Sequence, residues 1–169
     1  TDPDADATLA YSISGDELVI DASTGAITFA ANPDFETTSS YTATVTVTDG
    51  TNPVTQEITV TVSDVNESPS FTSAASFTAP ENQLTVETAT ATDPDADATL
   101  AYSISGDELV IDASTGVITF AANPDFETTS SYTATVTVTD GTNPVTQEIT
   151  VTVSDVNESP SFTSAASFT

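Results

Sequence analysis

Tyr41-Thr42-Ala43-Thr44-Val45-Thr46-Val47-Thr48-Asp49 alternates without a break between apolar and hydroxylated side chains. Successive side chains of a strand point to opposite faces, so Tyr41, Ala43, Val45 and Val47 share a core-facing side and the threonines face water. Residues 56–62 repeat the pattern, with Ile58, Val60 and Val62 inward. Asp49-Gly50-Thr51-Asn52-Pro53 between them is a turn cluster. Residues 9–13, 18–20 and 26–29 read as shorter strands, separated by Ser14-Gly15-Asp16 and Ser23-Thr24-Gly25. Phe71 and residues 84–90 supply two more. Apolar residues never recur at helical spacing. These features predict an all-β fold: a Greek-key sandwich of about seven strands.

The pattern occurs twice. Thr1-Asp2-Pro3-Asp4-Ala5-Asp6 returns from Thr92, a period of 91 residues. Residues 1–78 align on 92–169 with one difference, Ala26 against Val117. That period is too long for a solenoid or propeller repeat and suits one sandwich domain of roughly 100 residues. The chain therefore reads as a window on a tandem array of domains joined end to end. Asp64-Val65-Asn66-Glu67-Ser68-Pro69 is a polar linker, repeated from Asp155 to Pro160. It divides the chain into a domain at 1–69 lacking its first strands, a complete domain at 70–160, and the first strand of a following repeat at 161–169.

Composition removes most chemistries. There is no Lys, Arg, His, Cys, Met or Trp, and 26 acidic residues give a net charge of −26. Without cationic side chains the chain cannot neutralise phosphates, so it has no nucleic-acid partner, and an anionic membrane surface repels it. Triads and Schiff-base chemistry are excluded, as are zinc sites of Cys or His. No apolar run approaches the ~20 residues of a membrane helix. Carboxylate, hydroxyl and amide oxygens remain, and their natural partners are hard cations.

The carboxylates concentrate in turns, strand ends and the linker, which a sandwich gathers at its two poles. Crowded like charges oppose folding, and a divalent cation reverses that sign. Ca²⁺ takes 6–8 oxygens in irregular geometry, and Asp-x-Asp or Asp-x-Glu spacing lets two carboxylates converge on one ion.

These residues resemble cadherin repeats, in particular the cadherin-like repeats of large bacterial surface adhesins. Pro80-Glu81-Asn82 is similar to the family's Pro-Glu-Asn motif, and Asp34-Phe35-Glu36 and Asp125-Phe126-Glu127 to its Asp-Arg-Glu motif. The linker resembles Asp-x-Asn-Asp-Asn-x-Pro, Asp93-Pro94-Asp95 the Asp-x-Asp motif, and Asp140-Gly141 the later Asp at a strand end. The resemblance implies Ca²⁺ bound between successive domains. At the first junction it implies Asp34 and Glu36 from the leading domain, and Asp64, Val65, Asn66, Glu67 and Ser68 from the linker. Asp93, Asp95 and Asp140 would come from the following domain. At the second junction it implies Glu81, Asp125, Glu127, Asp155, Asn157 and Glu158. Asp2, Asp4 and Asp49 are the matching positions of the first copy. Glu67 and Ser68 stand where cadherins usually carry Asp and Asn. Phe126 replaces Arg, which predicts that its ring enters the core. The absence of Trp gives no support to strand-swap adhesion.

The function so implied is a non-enzymatic, calcium-rigidified stalk or fibre of an extracellular, cell-surface adhesin. Its partners would be neighbouring repeats of the same chain and like chains in a fibre. Other readings stand beside it: a module that binds a glycan or a like domain, and a filament subunit in which residues 161–169 are donated as a strand. An acidic surface loop accounts for Asp2, Asp4 and Asp6 without a metal. Asp34 and Glu36 as a glycosidase pair would need a deep pocket. The Thr-x-Thr ladder suits ice binding, or simply the β-propensity of a wet face. Asn66-Glu67-Ser68 also spells a glycosylation sequon.

Overall fold

The computed structural model describes residues 8–162. The chain divides into two compact units, Thr1–Val65 and Asn66–Thr169. All regular structure among the described residues is β. Asp2 and Asp4 lie outside the described residues, as does most of the strand expected at 161–169; Ser161 and Phe162 carry no strand.

In the first unit, β1 (Ala10–Ile13), β4 (Ser40–Thr48) and β5 (Pro53–Thr61) form one antiparallel sheet, and β2 (Leu18–Ile20) and β3 (Ile27–Phe29) form a second. The β4–β5 hairpin pairs Tyr41 with Val60, Ala43 with Ile58 and Val47 with Val54. Tyr41, Ala43, Val47, Ile58 and Val60 are buried or half-buried, as the alternation predicts, whereas Val54 is exposed. Gly50, at φ 99°, turns the hairpin in a conformation that only glycine adopts freely.

The described residues of the second unit form nine strands. They are β6 (Ser70–Phe71), β7 (Ser76–Pro80), β8 (Thr85–Thr88), β9 (Ala91–Thr92), β10 (Ala101–Ile104), β11 (Leu109–Ile111), β12 (Val117–Phe120), β13 (Ser131–Thr139) and β14 (Pro144–Ser154). One sheet runs β10-β13-β14-β7, a second β11-β12-β8, and β6 pairs with β9. The two larger sheets face each other across a single core. Val86, Leu109, Ile118 and Phe120 come from one, and Ala79, Val136, Ile149, Val151 and Val153 from the other. This is a β-sandwich. Phe120 and Tyr132 add an edge-to-face ring contact at 5.2 Å. Phe126 packs half-buried against the core, as the replacement of Arg predicts.

Strand β7 lies where no strand was expected. It pairs parallel with β14, Phe77 opposite Val151 and Ala79 opposite Val153. Pro80 ends it at a sheet edge, where a missing N–H costs nothing. Strands β7 and β8 also explain a difference between units of nearly identical sequence. Ile118 is fully buried, while its counterpart Ile27 is 38% exposed. In the second unit β8 pairs with β12, whereas among the described residues β3 of the first unit pairs only with β2.

Candidate metal centre

Glu81 follows directly on β7. Its side chain is 3% exposed, in a chain that possesses no cationic side chain. Its Oε2 accepts the N–H of Phe126 at 2.8 Å and its Oε1 the N–H of Val156 at 2.7 Å. The Glu81 N–H donates to the Ser154 carbonyl, and the Asn82 N–H to the Pro124 carbonyl. The strand end, the Phe126 turn and the segment after β14 are thus tied at one pole. Asn82 sits at φ 65°, a left-handed conformation Asn tolerates, and its amide donates to Glu158 Oε1 at 2.7 Å.

Glu81, Glu127 and Glu158 bring carboxylate oxygens within 4.8 Å of one another. The Glu127 backbone N–H favours its ionised form. Desolvation and the negative charges of Glu81, Glu158 and Asp155 outweigh that, and its carboxyl is pushed above the usual range. Asp155 is therefore felt at this pole, though exposed. Asp125 is occupied otherwise: Oδ1 accepts the Thr128 N–H and Oδ2 the Thr128 hydroxyl, so it caps a turn. The Asn157 amide donates to the Glu158 carbonyl at 3.2 Å.

At the beginning of the second unit, the Asp95 Oδ2 accepts the Glu67 N–H at 3.0 Å, and the Asp93 Oδ1 accepts the Asp95 N–H at 3.0 Å. Glu67 and Asp95 approach within 4.8 Å through their carboxylates. The Asn66 amide donates to Asp140 Oδ2 at 2.7 Å. Asp140 Oδ1 takes the N–H groups of Thr142 and Asn143, each at 2.6 Å. The Asn143 N–H, then the Asn66 amide and the Thr142 N–H, hold the Asp140 carboxyl below its ordinary range. Asp93 Oδ2 and Asp95 Oδ1 are shielded from solvent with no hydrogen-bond partner. Ser68 is exposed.

In the first unit, Glu36 and Asp64 carry carboxylate oxygens within 4.8 Å of each other. Asp34 instead accepts the N–H and hydroxyl of Thr37, both at 3.0 Å, as Asp125 does with Thr128. Those Thr37 bonds depress its carboxyl. Asp49 Oδ1 takes the N–H groups of Thr51 and Asn52. Val65 is 68% exposed.

Oxygen donors converge without a positive charge among them, and two buried carboxylate oxygens in the second unit have no partner. That donor set fits a hard cation such as Ca²⁺, and not a soft or nitrogen-seeking metal. Two polar groups had no role in the sequence reading: the amides of Asn82 and Asn143, the latter donating to the Glu67 carbonyl at 3.2 Å. An Asn beside each acidic motif was the only available signal.

Residues 75–154 match the family model of the cadherin domain. This segment is a cadherin domain. The chain is similar to human Protocadherin Fat 1, 33% identical over 93% of this chain and 4% of that protein. It is 40% identical to mouse Protocadherin Fat 4 over 73% of this chain and 3% of that protein. The chain thus spans a few per cent of the length of these cadherin relatives. Among solved structures, mouse Cadherin-23 EC22-24 superposes with a TM-score of 0.67 at 25% identity, covering 88% of this chain and 53% of that one. Protocadherin Gamma B2 extracellular cadherin domains 1-5 give 0.69 at 21%, covering 89% and 34%, a likeness of fold. Kinship with cadherins agrees with the non-enzymatic reading. No helix among the described residues is long and apolar enough to cross a membrane.

Proposed function

We propose that this chain is a calcium-rigidified structural segment of an extracellular, cell-surface adhesin, forming part of a stalk or fibre. The array is of the kind found in large bacterial surface adhesins, with domains at 1–69 and 70–160 and a following repeat from 161. One observation carries the reading: Glu81 is a buried carboxylate clustered with Glu127 and Glu158 in a chain that has no cationic side chain of its own. Such a cluster is costly to assemble unless a cation joins it.

Glu81, Glu127 and Glu158 would hold Ca²⁺ at one pole of the cadherin domain, with Asp155 and Asn157 beside them. Glu67, Asp93, Asp95 and Asp140 would hold it at the other, with Glu36 and Asp64 the contribution of a leading domain. Bound calcium supplies the positive charge these oxygens lack. The chain's own part is to fix them: the N–H groups of Phe126 and Val156 orient Glu81, and the Asn82 amide orients Glu158. Where ligands from adjoining domains share an ion, binding energy becomes stiffness of the junction and stability of each domain.

Small-angle scattering with calcium and with excess chelator tests the proposal. Chelation is expected to broaden the distribution of particle dimensions, and Glu81→Gln to blunt the response. Scattering that is identical in both conditions overturns it.

A further inference from the structure

In the second unit the two sheets separate along one flank. Strand β10 is the edge of one sheet and β11 the edge of the other, on the side away from β7 and β8. The two strands are fastened to each other at both ends. The Tyr102 N–H donates to the Ala113 carbonyl at 2.8 Å, and residues 105–108 join β10 to β11 at the other end. Ser105 anchors that turn to β13: its N–H donates to the Thr135 carbonyl, and its hydroxyl accepts the Thr135 N–H at 2.8 Å. Between these fastenings the strands belong to different sheets. Antiparallel alternation turns the N–H and carbonyl of Ile104 away from β13, and those of Leu109 and Ile111 away from β12. Both edges therefore present main-chain donors and acceptors beside a slot.

The first unit is built the same way. The Tyr11 N–H donates to the Ala22 carbonyl at 2.9 Å, and the Ser14 hydroxyl accepts the Thr44 N–H at 2.8 Å. Between β1 and β2 lies an open cavity of about 400 Å³, with Tyr11, Ile13, Leu18 and Ile20 as its apolar wall and Asp16 at its rim. A Cβ on Gly15 would stand 3.6 Å from Glu17 Oε2, so a second carboxylate borders the slot. Burial along this flank is the same in both units: Leu18 is 4% exposed and Leu109 3%, Val19 51% and Val110 50%. Ile27 and Ile118 differ sharply, so the slot does not depend on the strands that distinguish the units. Asp107 and Glu108 repeat the acidic rim, and neither pair belongs to the carboxylate clusters of the candidate metal centre.

We propose that the slot between these edge strands docks a basic protein segment in extended form, one that alternates apolar and cationic side chains. Its main chain would bond the open strand edge, its apolar side chains would enter the slot, and its Lys or Arg side chains would lie on the rim carboxylates. Charge selects this occupant. The chain has no cationic side chain, so a second copy would bring only more acid to an acidic rim, whereas a basic partner supplies what the rim lacks. The site is a property of each repeat, and it does not rest on the calcium reading.

Nuclear magnetic resonance of the ¹⁵N-labelled 169-residue chain tests it, in excess chelator and about 0.15 M sodium chloride to screen diffuse attraction. The probe is a short peptide of alternating valine and lysine, blocked at both ends. It should shift the amides of Ile13, Val19 and Ile20, and those of Ile104, Val110 and Ile111. A peptide of the same length alternating valine and glutamate should leave them in place, and one of lysine alone should move them far less. Combining Asp16→Lys with Asp107→Lys, both at exposed turn positions, should weaken binding about 5-fold at each slot. Shifts confined to Glu81, Glu127 and Glu158, an all-lysine peptide that acts as strongly, or a charge reversal without effect overturns the proposal.

Discussion

Gly116 and Gly25 occupy the same position in the two repeats and have nearly the same backbone, φ +72° and +73°. Replacing each by Ala separates backbone strain from packing. A methyl group at positive φ costs ~1–2 kcal/mol at either site. Beyond that the sites diverge. At Gly25 the atoms nearest the new Cβ belong to the Tyr11 ring, 3.2 Å away, and a small ring displacement accommodates it. At Gly116 it would be driven into the Ala89 carbonyl oxygen, a backbone atom that cannot turn aside. The Ala89 N–H donates to the Gly116 carbonyl at 2.9 Å, and Ala89 is 1% exposed beside Val86 and Ile118. Separating the two segments loses a hydrogen bond of ~1 kcal/mol and overpacks the core by ~1–3 kcal/mol. Gly116→Ala should therefore destabilise by about 3–6 kcal/mol and Gly25→Ala by about 1–2 kcal/mol. Urea unfolding by far-UV circular dichroism, in chelator, reads both. Equal losses from the two variants would refute the packing of residue 89 against residue 116.

Asp112 is depressed from 3.8 to about 2 by the N–H and hydroxyl of Thr115, then by those of Ser114. A lowered carboxyl contributes stability above its unfolded value, and loses it as pH falls from about 4 to about 2. Asp112→Asn should flatten the acid limb of a thermal-stability profile in that window; a limb as steep as the parent's would count against the turn. Ile118→Ala should cost ~2–5 kcal/mol and Ile27→Ala clearly less, since only the first side chain is fully enclosed. Comparable losses in chemical denaturation would mean that β8 does not shield β12.

The hairpin strands were legible because their period-2 pattern is long and strict, and burial follows it residue by residue in β13 and β14. Strand β7 was not. Ser76-Phe77-Thr78-Ala79-Pro80 has two inward residues, one of them small, and its partner β14 is far along the chain. Parallel pairing of that kind leaves no local turn signal. The acidic motifs were legible as a set, through resemblance and through the absence of any cation to neutralise them. Their division of labour was not. Asp34 and Asp125 look like their neighbours Glu36 and Glu127 in sequence, but a threonine three residues on draws each into a turn cap. The burial of Glu81 depends on the N–H groups of residues 45 and 75 positions away, which no local pattern announces.

The 91-residue period and the bonds that Asp140 and Asn143 make to the linker have a joint consequence for heredity. Any crossover between aligned copies, wherever it falls within the period, inserts or deletes a whole number of domains. Each addition carries the linker its successor requires and the side chains its predecessor's linker requires. The reach of such a molecule can thus be lengthened or shortened by unequal recombination, with no interface having to be reinvented.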